Sequence, residues 1–263
     1  MAPPDRSASP AVDAVTQALL RAHRERRRCS SLDPAFALRD DDEAMAVQDA
    51  VFAALAGAGA GDARAVAWKA GATGPGAPVS ACPLPAAGLH RGATRLPGAA
   101  FHQRGVEAEI AFRLASPPKQ PPSDDEALPC FDAFCVAIEV VDSRWIEAMA
   151  AAERLRLADL QSHAALVLGD WLPLRPIDWT GQVCRVLVNG EPVARGVGTH
   201  SCVDPGQVLG GWLRHAAARG AALQAGDVVT TGSWGRALWV GPDDHVLVDF
   251  PGIGKLRLAF EPG

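Results

Sequence analysis

Two short stretches hold the residues best suited to chemistry. In GVEAEIAFRL, from Gly105, Glu107 and Glu109 alternate with Val106, Ala108, Ile110, Phe112 and Leu114. Successive strand side chains point to opposite faces, so this spacing predicts a strand with both glutamates on one face and the apolar set on the other. In CVAIEVVDSRW, the apolar run Val136 to Val141 is broken by Glu139 alone, which predicts a buried strand carrying one carboxylate. An acid in that setting is costly unless something positive meets it. Residue type leaves the readings open. Hard oxygen donors with open positions suit Mg²⁺ or Mn²⁺, which keep waters or take substrate oxygens. An ion-pair network also accounts for buried acids, and a solvated surface accounts for the E-x-E pair taken by itself.

A lysine stands in the segment AVAWKAG, from Ala65, which reads as a third strand. Val66, Trp68 and Ala70 point one way and Lys69 the other. A lysine so placed is more often one that snorkels to the surface. Burial lowers its pKa, and nearby carboxylates raise it. Asp142-Ser143-Arg144 ends the Glu139 strand; Arg144 either pairs with Asp142 or clamps a substrate carboxylate bidentately.

The remaining elements supply the frame. Ser9 and Pro10 open a helix with Val12, Val15, Leu19 and Ala22 on one stripe, and the basic run Arg24 to Arg28 suits its C-terminal end. Asp40 caps a second helix, with Glu43 completing a capping box, Ala44, Val47, Val51 and Leu55 as its apolar stripe, and Gly57 as its stop. Residues 72–104 are Gly/Pro-rich and read as loop; His90 and His102 read by default as exposed loop histidines, with reach to a site on a mobile loop as the alternative for each. Asn189-Gly190 joins Val183–Val188 to a returning strand, a hairpin signal because that dipeptide accepts the positive φ of the tight turn. Asp204-Pro205 opens a helix with Val208, Leu209, Trp212, Leu213 and Ala216 apolar and Gly220 at its end. Strands follow at Val228–Thr231, His245–Phe250 and Lys255–Phe260. Many short strands with few helices imply an α+β fold built on antiparallel or mixed sheet.

Composition narrows the function classes. A net charge of −5 argues against a nucleic-acid or anionic-membrane partner. No leader and no bilayer-length apolar run is visible, so the expectation is a cytoplasmic protein with no membrane partner. The cysteines at 29, 82, 130, 135, 184 and 202 are scattered without a C-x-x-C pair, which predicts reduced, packed thiols rather than zinc ligands. Tyrosine is absent, so no tyrosine can act as an acid. No G-x-G-x-x-G, Walker loop or G-x-S-x-G occurs, so neither a nucleotide cofactor nor a serine triad is supported.

The motifs E-A-E-I-A-F (Glu107–Phe112), A-I-E-V-V-D-S-R (Ala137–Arg144), W-K-A-G (Trp68–Gly71), A-D-L-Q-S (Ala158–Ser162), V-L-G-D (Val167–Asp170) and G-D-V-V-T-T-G-S (Gly226–Ser233) occur in a specific order. Together they make the chain resemble the 2-keto-4-pentenoate hydratase and 4-oxalocrotonate decarboxylase group of the fumarylacetoacetate hydrolase superfamily. The resemblance implies a fumarylacetoacetate-hydrolase-like mixed β-sandwich or roll over residues 65–263, with a small helical region at 1–64. It implies Glu107, Glu109 and Glu139 as ligands of Mg²⁺ or Mn²⁺, Lys69 as a catalytic group, and Ser162, Thr231 and Gly232 as substrate contacts; Arg144 stands beside these as a candidate substrate contact read from its residue type, and His163, which departs from the group's pattern, as a candidate new acid/base. A hydrogen-bonded strand end is the plain alternative for His163, and a strand-end turn for Thr231 and Gly232. Leu160 and His163 stand where the resembled group carries asparagine and a second serine, and residues 72–104 lack an S-K-A-M-Q-Q-like lid helix.

The implied activity is addition of water to a 2-hydroxydienoate or 2-oxoenoate in aromatic-compound catabolism. Decarboxylation of a 2-oxo diacid, C–C hydrolysis of an acylpyruvate and a non-catalytic partner subunit follow in that order. Glu107, Glu109, Glu139 and Lys69 argue against the last, and the shortened lid argues for it. The implied partners are a small 2-oxo or 2-hydroxydienoic acid, further copies in a homo-oligomer, and a complex with a pathway enzyme.

Overall fold

The structure is a computed structural model that describes residues 9–57 and 64–261. In chain order its elements are helices α1 (Pro10–Glu25) and α2 (Asp41–Leu55) and strands β1 (Ala67–Gly71), β2 (Ser80–Leu84), β3 (Leu89–Arg91), β4 (Thr94–Pro97) and β5 (Gly105–Leu114). There follow the short helix α3 (Asp124–Ala127), β6 (Phe131–Val141), α4 (Glu153–Ala158), β7 (His163–Leu168), β8 (Leu172–Pro173), β9 (Val183–Val188) and β10 (Glu191–Val197). Helix α5 (Leu209–Ala218) and strands β11 (Val228–Thr230), β12 (Leu238–Trp239), β13 (His245–Phe250) and β14 (Gly254–Glu261) complete the set. They group into two compact units: Met1–Ala63 with Asp142–His163, and Arg64–Val141 with Ala164–Gly263.

The first unit is helical. Ser9 caps α1 by accepting the Val12 N–H, with Pro10 at the first helical position, and Val12, Val15, Leu19 and Ala22 are buried. Asp40 caps α2 by accepting the Glu43 N–H. The capping box closes one residue earlier than expected, because the Glu43 carboxylate takes the Arg39 N–H at 2.7 Å and the Arg39 guanidinium with it. Helix α2 packs on α1 and α4, and Gln48 donates across to the Leu157 carbonyl at 2.8 Å. Trp145 is fully buried and donates its indole N–H to the Leu155 carbonyl at 2.8 Å.

The second unit holds two mixed sheets. The larger runs β2-β1-β11-β5-β6-β7-β3, with β12 also paired to β5 and β8 to β6; the smaller runs β10-β9-β13-β14-β4. Strand β14 packs against β6. Strands β5 and β6, both long and largely buried, form the antiparallel centre of the larger sheet. Their apolar face joins an aromatic chain, in which Phe112 contacts Phe131 and Phe134, Phe131 contacts Trp212 of α5, and Trp212 contacts Trp68 of β1. The β9–β10 hairpin turns at Asn189 and Gly190, with φ of 53° and 89°, the geometry that dipeptide predicts.

Residues 72–104 differ from the loop expected of them, since they supply β2, β3 and β4. Proline density hid β2. Pro83 lies opposite Trp68 in a strand at the end of the sheet, where a missing N–H costs no ladder bond. Thr231 likewise lies just beyond β11, which ends at Thr230.

Ile138, fully buried on β6 opposite Ala108, anchors the central strand pair. Truncation to alanine is expected to cost about 2–5 kcal/mol, read as a lower denaturation midpoint; a loss below about 1 kcal/mol would show that this pair is not the packed centre.

Candidate active site

Sheet register brings the chemistry to one face. Residues directly opposite one another in a ladder share a face. Glu107 on β5 lies opposite Glu139 on β6, and Glu109 follows two residues along the same face. Ala111, again on that face, lies opposite Thr230 on β11, and Thr230 lies opposite Lys69 on β1. Four strands therefore place three carboxylates, a threonine and a lysine side by side. Glu109 and Glu139 are at most 1% exposed, while Glu107 is half-buried.

One oxygen from each of the three glutamates lies within 4.8 Å of the others. Lys69 Nζ donates to Glu139 Oε1 at 2.8 Å. The Thr230 hydroxyl and, at 3.3 Å, the Gly232 N–H both donate to Glu109 Oε2. One ammonium does not offset three clustered carboxylates, two of them fully buried. Burial first, and repulsion from Glu139 and Glu107 second, push Glu109 up to about 8. Burial, opposed by Lys69 and reinforced by Glu139, pushes Glu107 up to about 7. Burial works against the Lys69 ammonium, but the pull of Glu139, Glu107 and Glu109 outweighs it and the net shift is upward. The clustered hard oxygens, short of positive charge, fit one divalent cation.

The Thr231–Gly232 turn lies over Glu109. Thr231 donates its N–H and its hydroxyl to the Ile110 carbonyl, at 3.2 and 2.8 Å, and Trp234 N–H donates to the Ala108 carbonyl at 2.9 Å. Gly232 has φ +97°, a conformation that glycine permits. Two residues of this shell escape sequence reasoning. Thr230 is fully buried, and its role follows only from the β1–β11–β5 register. His200, 2% exposed, contacts the Thr231 carbonyl through Nε2 at 2.8 Å. Its sole sequence signal is a histidine in an irregular stretch before Asp204-Pro205.

Arg144, Ser162 and His163 lie in the helical unit. Arg144 does not take the expected partner Asp142. It is 5% exposed and pairs through Nε with Asp159, whose carboxylate is fully buried. It also donates to the His163 and Asp159 carbonyls at 2.8 and 2.7 Å, so its guanidinium is committed to the protein itself. These bonds flank Leu160, Gln161 and Ser162, three successive non-glycine residues with φ of 46°, 51° and 62°. Such conformations cost about 1–2 kcal/mol each, and the Arg144–Asp159 lock offsets that cost. Ser162 is buried, its carbonyl taking the Asp142 N–H at 2.8 Å, and His163 is buried beside it.

Residues 62–261 match the family model described as fumarylacetoacetate (FAA) hydrolase C-terminal, and the chain belongs to that family. The 2-keto-4-pentenoate hydratase of Paraburkholderia xenovorans is 31% identical over 176 residues, which is 64% of this chain and 63% of that one. The enzyme of the same name from Paraburkholderia phymatum is 34% identical over 168 residues, 63% of each chain. The chain thus spans about 63% of the length of these curated relatives. In fold it is similar to the 4-oxalocrotonate decarboxylase from Pseudomonas putida G7, solved with magnesium and adipate, with a TM-score of 0.83 at 21% identity over 95% of this chain and 97% of that one. The fold is accordingly α+β of the fumarylacetoacetate-hydrolase type. No helix among the described residues is long and apolar enough to cross a membrane.

The raised carboxylates fix a pH dependence. From the ordinary value of 4.5 up to about 8, the folded metal-free chain keeps protons at Glu107 and Glu109 that the unfolded chain has released. The stability these two groups contribute is therefore greatest below that window and falls as pH rises through it. Between pH 5 and 8 the melting temperature of the metal-free protein is expected to fall relative to that of Glu109→Gln, which has no charge to bury at that position. Identical slopes for the two proteins would contradict the shifts.

Proposed function

We propose that this chain is a divalent-metal-dependent lyase that adds water to a 2-hydroxydienoic or 2-oxoenoic acid. The observation that carries the reading is the buried Glu107–Glu109–Glu139 cluster with Lys69 bonded to Glu139, in a chain of this family. The two hydratase relatives support hydration as the reaction. Glu107, Glu109 and Glu139 would hold Mg²⁺ or Mn²⁺, and the magnesium of the decarboxylase fold neighbour supports the first. Such an ion, when bound, supplies a Lewis acid for the carboxylate and 2-oxo oxygens of the substrate.

The protein's own groups have distinct tasks. Lys69 Nζ holds a proton against Glu139 Oε1 and is the donor for the carbon or oxygen that gains one. Thr230 and Gly232 hold Glu109 by its Oε2. The Thr231–Gly232 turn, fixed to Ile110, orients the acid end of the substrate. One dienoate and one water give one 4-hydroxy-2-oxo acid, with no redox partner needed. Decarboxylation of a 2-oxo diacid is the second reading, favoured by the fold match over 95% of the chain to an enzyme of that name. A cytoplasmic homo-oligomer working in aromatic-compound catabolism, in contact with a pathway enzyme, completes the proposal; family resemblance supports this setting.

Decay of the ultraviolet band of 2-hydroxypenta-2,4-dienoate, and of its dicarboxylate analogue, tests the reading. Added Mn²⁺ is expected to accelerate decay above spontaneous ketonisation and EDTA to stop it, with the 4-hydroxy-2-oxo acid as product. Glu109→Gln should abolish the metal-dependent rate, and Lys69→Met should lower it by about 10²–10⁴-fold. No acceleration of either compound by protein shown to bind Mn²⁺ would sink the proposal.

A further inference from the structure

A chain of hydrogen bonds runs from an irregular stretch into the carboxylate cluster. The Cys202 N–H donates to His200 Nδ1 at 3.2 Å, so Nδ1 is the acceptor nitrogen and Nε2 carries the proton. Nε2–H donates to the Thr231 carbonyl at 2.8 Å. That carbonyl belongs to the same planar peptide as the Gly232 N–H, which donates to Glu109 Oε2 at 3.3 Å. In a trans peptide the C=O and N–H point in opposite directions, so holding the oxygen aims the N–H. Glycine at position 232 leaves this peptide free to rotate, and a fixed donor on its carbonyl removes that freedom. His200 is itself fixed, being 2% exposed with its ring 5.9 Å from that of Trp234.

We infer that His200 is a positioning residue, which through the Thr231–Gly232 peptide holds the Glu109 carboxylate in the orientation that receives a divalent cation. This rests on the metal reading above. The link is directional: each donor in the chain polarises the next, so the Gly232 N–H is a stronger donor to Glu109 than an isolated amide. Partners one shell out from a metal typically control about 10–100-fold in affinity. His200 has no contact with substrate in this role, and its effect passes wholly through one peptide unit.

Calorimetric Mn²⁺ titration and the amide proton shift of Gly232 in the metal-free protein test this in wild type, His200→Leu and His200→Gln. Wild type is expected to bind one Mn²⁺ per chain. His200→Leu should bind at least about ten-fold more weakly and move the Gly232 amide proton upfield. His200→Gln, whose amide can donate to the Thr231 carbonyl, should recover most of both. Unchanged affinity and an unmoved Gly232 resonance in His200→Leu would overturn the inference. So would equal weakening in both variants without a Gly232 shift, which is the mark of general damage. If the leucine variant does not fold, a ten-fold loss in the glutamine variant decides against it. A wild-type protein that binds no Mn²⁺ overturns the metal reading itself, and the inference with it.

Discussion

Mutual repulsion among Glu107, Glu109 and Glu139 is the constraint on which the candidate site depends. Buried carboxylates so close together cannot all stay ionised on the strength of one lysine. The fold commits to this arrangement by placing them on two long, largely buried strands, β5 and β6, with Glu109 and Glu139 shut off from solvent. The local deficit of positive charge is the chemical content of the site: it makes the cluster a candidate cation site and shifts Lys69 upward. Every neighbouring bond serves that cluster. Thr230 and Gly232 grip one oxygen of Glu109, and His200 steadies the peptide that supplies the second grip.

The two units solve different problems. In the helical unit, caps and the buried Trp145 hold short elements together, and Arg144 is spent on Asp159 to sustain a left-handed turn at residues 160–162. In the sheet unit, apolar residues alternate with functional ones along the same strands, so a single ladder register sets both the core and the chemistry. A slip of one residue in β5 would turn Glu107 and Glu109 into the aromatic core and Ile110 out of it.

Sequence patterning made much of this legible. Period-two alternation around Glu107 and Glu109 predicted β5, an apolar run predicted β6, and Asn189-Gly190 predicted the hairpin. These succeed because each depends on a local rule. The three glutamates and Lys69 do converge, as the two strand patterns and the family resemblance together implied. What stayed hidden depends on partners distant in sequence or on peptide orientation. Pro83 masked an edge strand. Arg144 reached past Asp142 to Asp159, a choice made by the path of the chain between them. Thr230 and His200 gave no periodic signal, since one acts through cross-strand register and the other through a backbone carbonyl.

The cross-strand neighbours Lys69 and Thr230 come from opposite ends of the second unit's chain and meet only through the parallel β1–β11 ladder. Parallel pairing of such remote segments carries a large loop-closure cost and tends to form slowly. A chain still emerging from the ribosome holds Glu107, Glu109 and Glu139 long before β11 exists, with neither Thr230 nor Gly232 to hold Glu109. The cluster in its finished form is therefore a late product of biosynthesis, and the hold of Thr230 and Gly232 on Glu109 reports on completion of the sheet rather than on the presence of its three acids.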